Sequence, residues 1–168
     1  MSNEATILLA EDDENDVALL RYAFTRANIL NPLQVVGDGK RAIDYLKGNG
    51  RYSNRQNHPW PALMLLDLKM SPVDGFGVLA WWQRQIYASE IPIIVMSSSN
   101  SHADIQRALS LGAASYFLKS ANMQYFVHVA RQLRERWLTP AVSQSLPIDF
   151  DHATFPAASA HPRSVFQS

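Results

Sequence analysis

The chain has 168 residues, 47% of them hydrophobic, which suffices for one substantial core and is short for two full domains. Its 15 basic and 15 acidic side chains cancel, so no global field favours nucleic acid or an anionic membrane, and its apolar runs, such as ILLA and ALMLL, are 4 or 5 residues long where a bilayer span needs about 20. Without cysteine there are no disulfides or thiolate metal sites, and the composition fits a soluble, cytoplasmic protein.

The first strand-like run is ATILLA, residues 5–10, which meets the acids of EDDEND. Asp13 is placed to cap a helix, and Glu14 and Asp16 in the first turn complement the positive end of the helix dipole. Leu19, Leu20, Ala23, Phe24 and Ala27 form the apolar stripe of that helix. A second strand, LQVVG at 33–37, precedes a helical pattern of Ala42, Ile43 and Leu46. Residues 48–61, GNGRYSNRQNHPWP, make a long polar connection where most such links hold about 2 to 6 residues, and they read as a surface loop.

The third strand is ALMLL, 62–66, followed by Asp67 and by a helix pattern of Phe76, Leu79, Ala80 and Ile86. Trp81 and Trp82 are adjacent on that helix and cannot share a face, which puts one in the core and the other near solvent. The run IPIIVM, 91–96, leads to Ser97 and Ser98, and Ile105, Ala108, Leu109 and Leu111 form the next stripe. The last strand, SYFL at 115–118, leads to Lys119, and the fifth helix carries Phe126, Val127, Ala130, Leu133 and Trp137, with Tyr125 and Val129 widening its apolar arc. His58, His102, His128, His152 and His161 show no ligand spacing and read as surface residues.

Short unalternating apolar strands that alternate with helices predict an α/β fold with a doubly wound parallel sheet over residues 1–138. From 139 to 168 the helical period stops and four prolines appear. Thirty residues are too few for a helix-turn-helix domain with its own core, so this segment reads as an extension without an output domain, although Leu146, Ile148, Phe150, Phe155, Val165 and Phe166 make it more apolar than a solvated tail.

Ligand sites of open parallel sheets gather at the carboxyl ends of the strands. Those positions hold Glu11, Asp12 and Asp13, then Asp67, then Ser97 and Ser98, then Lys119. Two carboxylates ~4 Å apart repel by about 4 kcal/mol at an effective dielectric near 20, so either protons or a cation must relieve acids converging there. Lysine supplies one positive charge, and Mg²⁺, a hard divalent cation with a preference for oxygen ligands, supplies two. A carboxylate beside Mg²⁺, a hydroxyl and an ammonium suits the receipt of a phosphoryl group, with Asp67 as nucleophile.

These residues resemble the receiver domain of bacterial two-component response regulators over about residues 5–138. The match lies in the acidic pair Glu11 and Asp12 of ILLAEDD, Asp67 of LLDLKMSPVDG, Ser97 of IPIIVMSSSN, and Tyr116 and Lys119 of SYFLKS. The resemblance implies a flavodoxin-like fold with strand order 2-1-3-4-5 and Asp67 as the phosphorylated residue. Asp12, Asp67 and the backbone carbonyl of Lys69 would bind Mg²⁺ directly, with Glu11 acting through water. Ser97 and Lys119 would hold the phosphoryl oxygens while Tyr116 rotates as the switch, carrying the signal to the fourth helix, fifth strand and fifth helix by population shift. It also implies that the domain catalyses its own phosphorylation and slow hydrolysis without being an enzyme in the ordinary sense.

The sequence departs from the family in two places. Ser71 stands where a proline is usual, with Pro72 one position late, and Ser120 replaces the proline whose cis peptide follows the lysine. A cis bond before a non-proline residue costs ~2.5 to 4 kcal/mol, so Lys119–Ser120 is either strained or trans.

The stretches KSANMQYF and RERWL, the long connection before the third strand and the C-terminal extension resemble the small regulators paired with phytochrome-type photoreceptor kinases. That implies a light-sensing histidine kinase as phosphodonor and output by protein contact. Three other readings compete. A haloacid dehalogenase-type hydrolase expects Asp-x-Asp after its first strand, whereas Asp67-Leu68-Lys69 follows the third and lacks the second acid. An FMN module would have its phosphate repelled by Glu11 to Asp16. A receiver used as an unphosphorylated scaffold would not require the full set of chemical residues. The apolar face of the fifth helix, with the extension, is expected to form a symmetric homodimer.

Overall fold

Residues 5–139 are described by the structure, a computed structural model. Five strands, β1 (Ile7–Ala10), β2 (Leu33–Val36), β3 (Leu63–Leu66), β4 (Ile93–Ser97) and β5 (Ser115–Leu118), alternate with five helices, α1 (Glu14–Arg26), α2 (Gly39–Lys47), α3 (Gly75–Trp82), α4 (His102–Ser110) and α5 (Met123–Leu133). The strands form one sheet in the order β2-β1-β3-β4-β5 with every pairing parallel, as expected.

Alternate side chains divide the core in two. Ile7, Leu9, Leu63, Leu65, Ile94, Met96 and Phe117 face α1 and α5, meeting Leu20, Phe24, Phe126 and Leu133. Leu8, Met64, Leu66, Ile93, Val95 and Tyr116 face the other way, against Tyr45, Leu46, Val78, Leu79, Ile105 and Ala108 of α2, α3 and α4. Double coverage explains why β1, β3 and β4 read as continuous apolar runs. At the edge, β2 lacks a neighbour on one side and is only partly buried, with Val35 36% exposed.

Several details correct the sequence reading. The strand starts expected at residues 5, 62 and 91 lie at Ile7, Leu63 and Ile93, and Ser97 is the last residue of β4 instead of the first beyond it. Ile86 is not on a helix: α3 ends at Trp82, irregular turns follow, and Ile86 is 99% exposed. Leu109 lies on the open side of α4. Val129, expected at a dimer face, is fully packed into the core beside α1, so it is unavailable to a partner. Trp82 is the buried member of its pair and donates from Nε1 to the Ala88 carbonyl at 3.1 Å, while Trp81 is half-buried with the Lys47 ammonium 5.5 Å from its ring.

The 48–61 connection is a packed loop instead of a plain surface one. Gly48 ends α2 in the left-handed conformation, at φ 70°. The Arg55 guanidinium then donates to the carbonyls of Tyr45 and Leu46, both at 2.9 Å, satisfying the last turn of α2. Tyr52 is buried, Tyr45 donates its hydroxyl to the Pro59 carbonyl, and His58, expected at the surface, is half-buried and stands edge-on to both tyrosine rings. His102 and His128 are exposed, while His152 and His161 lie outside the described residues.

At the far end of α5, Arg134 donates to the carbonyl of Ala27 at 2.8 Å and ties the end of α5 to the end of α1. A π-helical turn, Arg134–Leu138, follows. Most of the extension expected from residue 139 onward lies outside the described residues. Lys119–Ser120 is trans, and Ser71–Pro72 is cis. Among the described residues no helix is long and apolar enough to cross a membrane.

Candidate functional site

Three of the site residues, Glu11, Asp67 and Lys119, are fixed by the rung that ends a strand. The amide of Glu11 donates to Val36, that of Asp67 to Ala10 and that of Lys119 to Ser97, at 2.9, 3.0 and 2.8 Å. These bonds carry the parallel ladder just past the apolar runs and bring the side chains together at the carboxyl edge of the sheet. Pleating turns Glu11 inward and the next residue, Asp12, out to solvent.

Glu11, Asp12 and Asp67 each offer a carboxylate oxygen, and these oxygens lie within 4.8 Å of one another. Glu11 and Asp67 are only 3% and 4% exposed. Hard oxygen donors from two strand ends, one of them open to solvent, fit a divalent cation that keeps some of its waters.

The Lys119 ammonium reaches Glu11 Oε2 at 2.7 Å, Asp16 Oδ2 at 2.8 Å and Asp67 Oδ1 at 3.4 Å. Burial pushes the Glu11 carboxyl above its usual range, with the nearby charge of Asp67 adding to the effect and the Lys119 bond opposing it. Burial pulls Lys119 the other way, but the bonds to Asp16 and Glu11 and the charge of Asp67 outweigh it and hold the ammonium above its ordinary value.

Asp13 caps α1 by accepting from the amide of Asn15 at 2.8 Å, as expected. Asp16 does more than complement the helix dipole, since its bond to Lys119 places it in the site. Its signal was present in the spacing: three residues after an N-cap, a side chain points back over the helix start, toward the strand ends.

On the other flank, Ser97 is fully buried and its Oγ accepts from the amide of Ser99 at 3.2 Å. Tyr116 is buried with its hydroxyl donating to the Ser99 carbonyl at 2.7 Å, and Ser99 Oγ donates to Asp104 of α4 at 2.6 Å. Burial raises the Tyr116 phenol above its ordinary value. Ser99 and Asp104 were not anticipated, because a Ser-rich loop looks uniform until one hydroxyl finds a helix. Lys69, two residues after Asp67, is exposed.

A parallel 2-1-3-4-5 sheet whose carboxyl edge gathers two acids, a buried aspartate, a buried serine and a lysine defines a receiver domain of the signalling type. The family model described as response regulator receiver domain matches residues 7–131, and the chain belongs to that family.

Among its relatives, the probable methanogenesis regulatory protein FilR2 of Methanothrix harundinacea is 33% identical over 79% of this chain and 83% of its own. The response regulator RPA3017, described in red light signaling of R. palustris, is 34% identical with a TM-score of 0.76, covering 84% of this chain and 99% of that one. The phosphorylated cyanobacterial phytochrome response regulator RcpA is 32% identical with a TM-score of 0.74, covering 83% and 97%. The response regulator Rcp1 of Synechocystis sp., 28% identical with a TM-score of 0.72 over 84% and 99%, has a structure in its Mn²⁺-bound form. Receiver domains bind a divalent metal and act in signalling instead of as ordinary enzymes, and the acidic cluster of this chain fits that metal.

Proposed function

We propose that the protein is a response regulator in which Asp67 accepts a phosphoryl group from a histidine of a sensor kinase and the change is read by protein contact. The observation that carries this reading is the setting of Asp67, buried between the acidic pair and Lys119. A carboxylate oxygen of Asp67 forms the new bond to phosphorus as the P–N bond breaks, and the imidazole nitrogen keeps the electron pair and takes up a proton. The chemistry needs charge neutralisation and in-line placement more than covalent machinery.

Glu11, Asp12, Asp67 and the Lys69 carbonyl would hold Mg²⁺, which supplies charge neutralisation at the transferring group. Lys119 neutralises a further phosphoryl oxygen, and Ser97 donates to another after giving up its bond from Ser99. That change loosens the Ser99 carbonyl to which Tyr116 is tied, which gives the switch a route to α4. Slow hydrolysis of the acyl phosphate would return the domain to its starting state.

A phytochrome-type kinase is the phosphodonor this reading favours, supported by the likeness to RcpA and RPA3017. Function as a homodimer through α5 and residues 139–168, in the cytoplasm, belongs to the same reading; with Val129 buried, pairing would depend on Tyr125 and the extension.

The test is intact mass after incubation with acetyl phosphate and Mg²⁺. One phosphoryl group is expected on the parent and none on Asp67→Asn. No gain on the parent would leave the domain as a binding scaffold. Phosphotransfer from purified sensor kinases then identifies the donor, and light scattering of the full chain against one ending at Leu138 tests dimerisation.

A further inference from the structure

We propose that Asp16 is a positioning residue that holds the Lys119 ammonium away from Asp67 and keeps a carboxylate oxygen of the phosphoacceptor free to react. The inference rests on the reading of Asp67 as phosphoacceptor.

An ammonium has three N–H donors. One goes to Glu11 Oε2 and one to Asp16 Oδ2, at 2.7 and 2.8 Å. Asp67 Oδ1, at 3.4 Å, lies beyond the ~2.7 to 3.2 Å of a good N–H···O bond. That oxygen is buried, and no group among the described residues hydrogen-bonds to it. The nearest cation to the candidate nucleophile is therefore engaged elsewhere, by one acid from the end of β1 and one from the first turn of α1.

The two tethers differ in what they can do. Glu11 is part of the acidic cluster with Asp12 and Asp67, so a divalent cation competes with Lys119 for its oxygens. Asp16 lies outside that cluster and keeps its hold on the ammonium when Glu11 turns to a cation. Its place is set by the helix start, where the Asp13 cap fixes the first turn.

Without Asp16, Lys119 keeps only Glu11 and Asp67 as acidic partners, and the ammonium is free to close the 3.4 Å gap to Asp67 Oδ1, a buried oxygen that lacks a hydrogen bond. A charge-assisted bond there would occupy the lone pair that must attack phosphorus.

The experiment measures the initial rate of phosphorylation of the full chain by acetyl phosphate with saturating Mg²⁺, read by intact mass. In this reaction a lone pair of Asp67 forms the bond to phosphorus while the P–O bond to acetate breaks and acetate leaves with the pair. Asp16→Ala is expected to react about tenfold more slowly, equivalent to about 1.4 kcal/mol. Glu14→Gln removes another first-turn acid that is exposed and is not a partner of Lys119, and it is expected to match the parent.

Lys119→Met is expected to lower the rate by itself, and adding Asp16→Ala to it is expected to change the rate by less than about twofold, because no ammonium remains to be held. A loss that was merely structural would persist in that background. Asp16→Asn keeps the shape with a weaker, neutral acceptor and is expected to show a smaller loss in the same direction; it serves in place of Asp16→Ala if that variant does not fold.

An Asp16 variant as fast as the parent or faster, or a full loss that survives in Lys119→Met, overturns the role of Asp16 alone. A parent that takes no phosphoryl group overturns the phosphoacceptor reading and this role with it.

Discussion

Gly75 packs its α-carbon directly against the backbone of Asp67: a Cβ placed on Gly75 would collide with the Asp67 carbonyl oxygen and stand 2.8 Å from the Leu68 α-carbon. Asp74 caps α3 by accepting from the Gly77 amide at 2.8 Å, so α3 begins with its backbone pressed on the segment that follows β3. Gly75 also donates its amide to the Leu68 carbonyl at 3.1 Å. Here the need for glycine is one of space, because backbone atoms cannot swing aside as a side-chain tip can.

Gly75→Ala is therefore expected to push the 67–69 segment away from α3. The strain of overpacking is typically 1 to 3 kcal/mol, roughly, and should appear as a lower urea midpoint. Because Asp67 moves, Mg²⁺ affinity and phosphorylation rate should fall together. A variant with parental stability and metal binding would show that the two segments are not coupled.

The crowded acids lead to a prediction about metal removal. Without a divalent cation, Glu11, Asp12 and Asp67 repel, and Lys119 is already shared with Asp16. Asp67→Asn is expected to be at least as stable as the parent in EDTA, by up to about 1 kcal/mol of relieved repulsion. Added Mg²⁺ should stabilise the parent, as any ligand of the native state does, and stabilise Asp67→Asn much less. Urea titrations with and without Mg²⁺ check this, and equal metal stabilisation of both proteins would count against Asp67 as a ligand.

Arg55 provides a test far from the chemistry. Its guanidinium satisfies the carbonyls at the end of α2 and also lies within 5.3 Å of the Trp60 ring centre. Hydrogen bonds from a charged donor contribute about 1.5 to 3 kcal/mol, so Arg55→Ala should destabilise by about 2 kcal/mol. Lysine lacks the planar fork and should restore little of it. Hydrogen exchange should speed up within residues 48–61, while phosphorylation of Asp67 stays near the parental rate.

Tyr45 makes the same loop sensitive to alkali. Burial pushes its phenol from the ordinary 10.0 up to about 12, with Arg55 opposing the shift and Tyr52 adding to it. Between those values the unfolded chain gives up this proton and the folded one retains it. The contribution is therefore complete below pH 10 and is lost as pH rises through about 12, at up to about 1.4 kcal/mol per pH unit. Urea midpoints should fall across this range, and Tyr45→Phe should flatten that part of the profile. An identical profile in the variant would assign the alkaline loss to other groups.

The parallel α/β sheet and the convergence of acids, hydroxyl and lysine were legible because both follow from local facts. Runs such as LLDLK and YFLKS mark where a strand ends, and strand ends are where a doubly wound sheet collects its chemistry. Periodicity also separated the two faces of α1 and α5. It failed at Ile86 and Val129: a helical pattern carries no mark of where packing ends a helix, and an apolar arc does not say how much of it the protein itself covers.

By itself, then, the sequence determined the fold class and the residue types at the carboxyl edge, since hydrophobic period and strand-end position are properties of contiguous residues, while the strand order was implied only by the resemblance to receiver domains. The tertiary structure alone decided the pairing of Lys119 with Asp16, 103 positions apart, the use of Arg55 to close α2, and the tie from Tyr116 through Ser99 to α4. Those contacts depend on which of several chemically equivalent acids, arginines and serines comes within about 3 Å of a partner, and that is settled only when the sheet brings distant strand ends side by side.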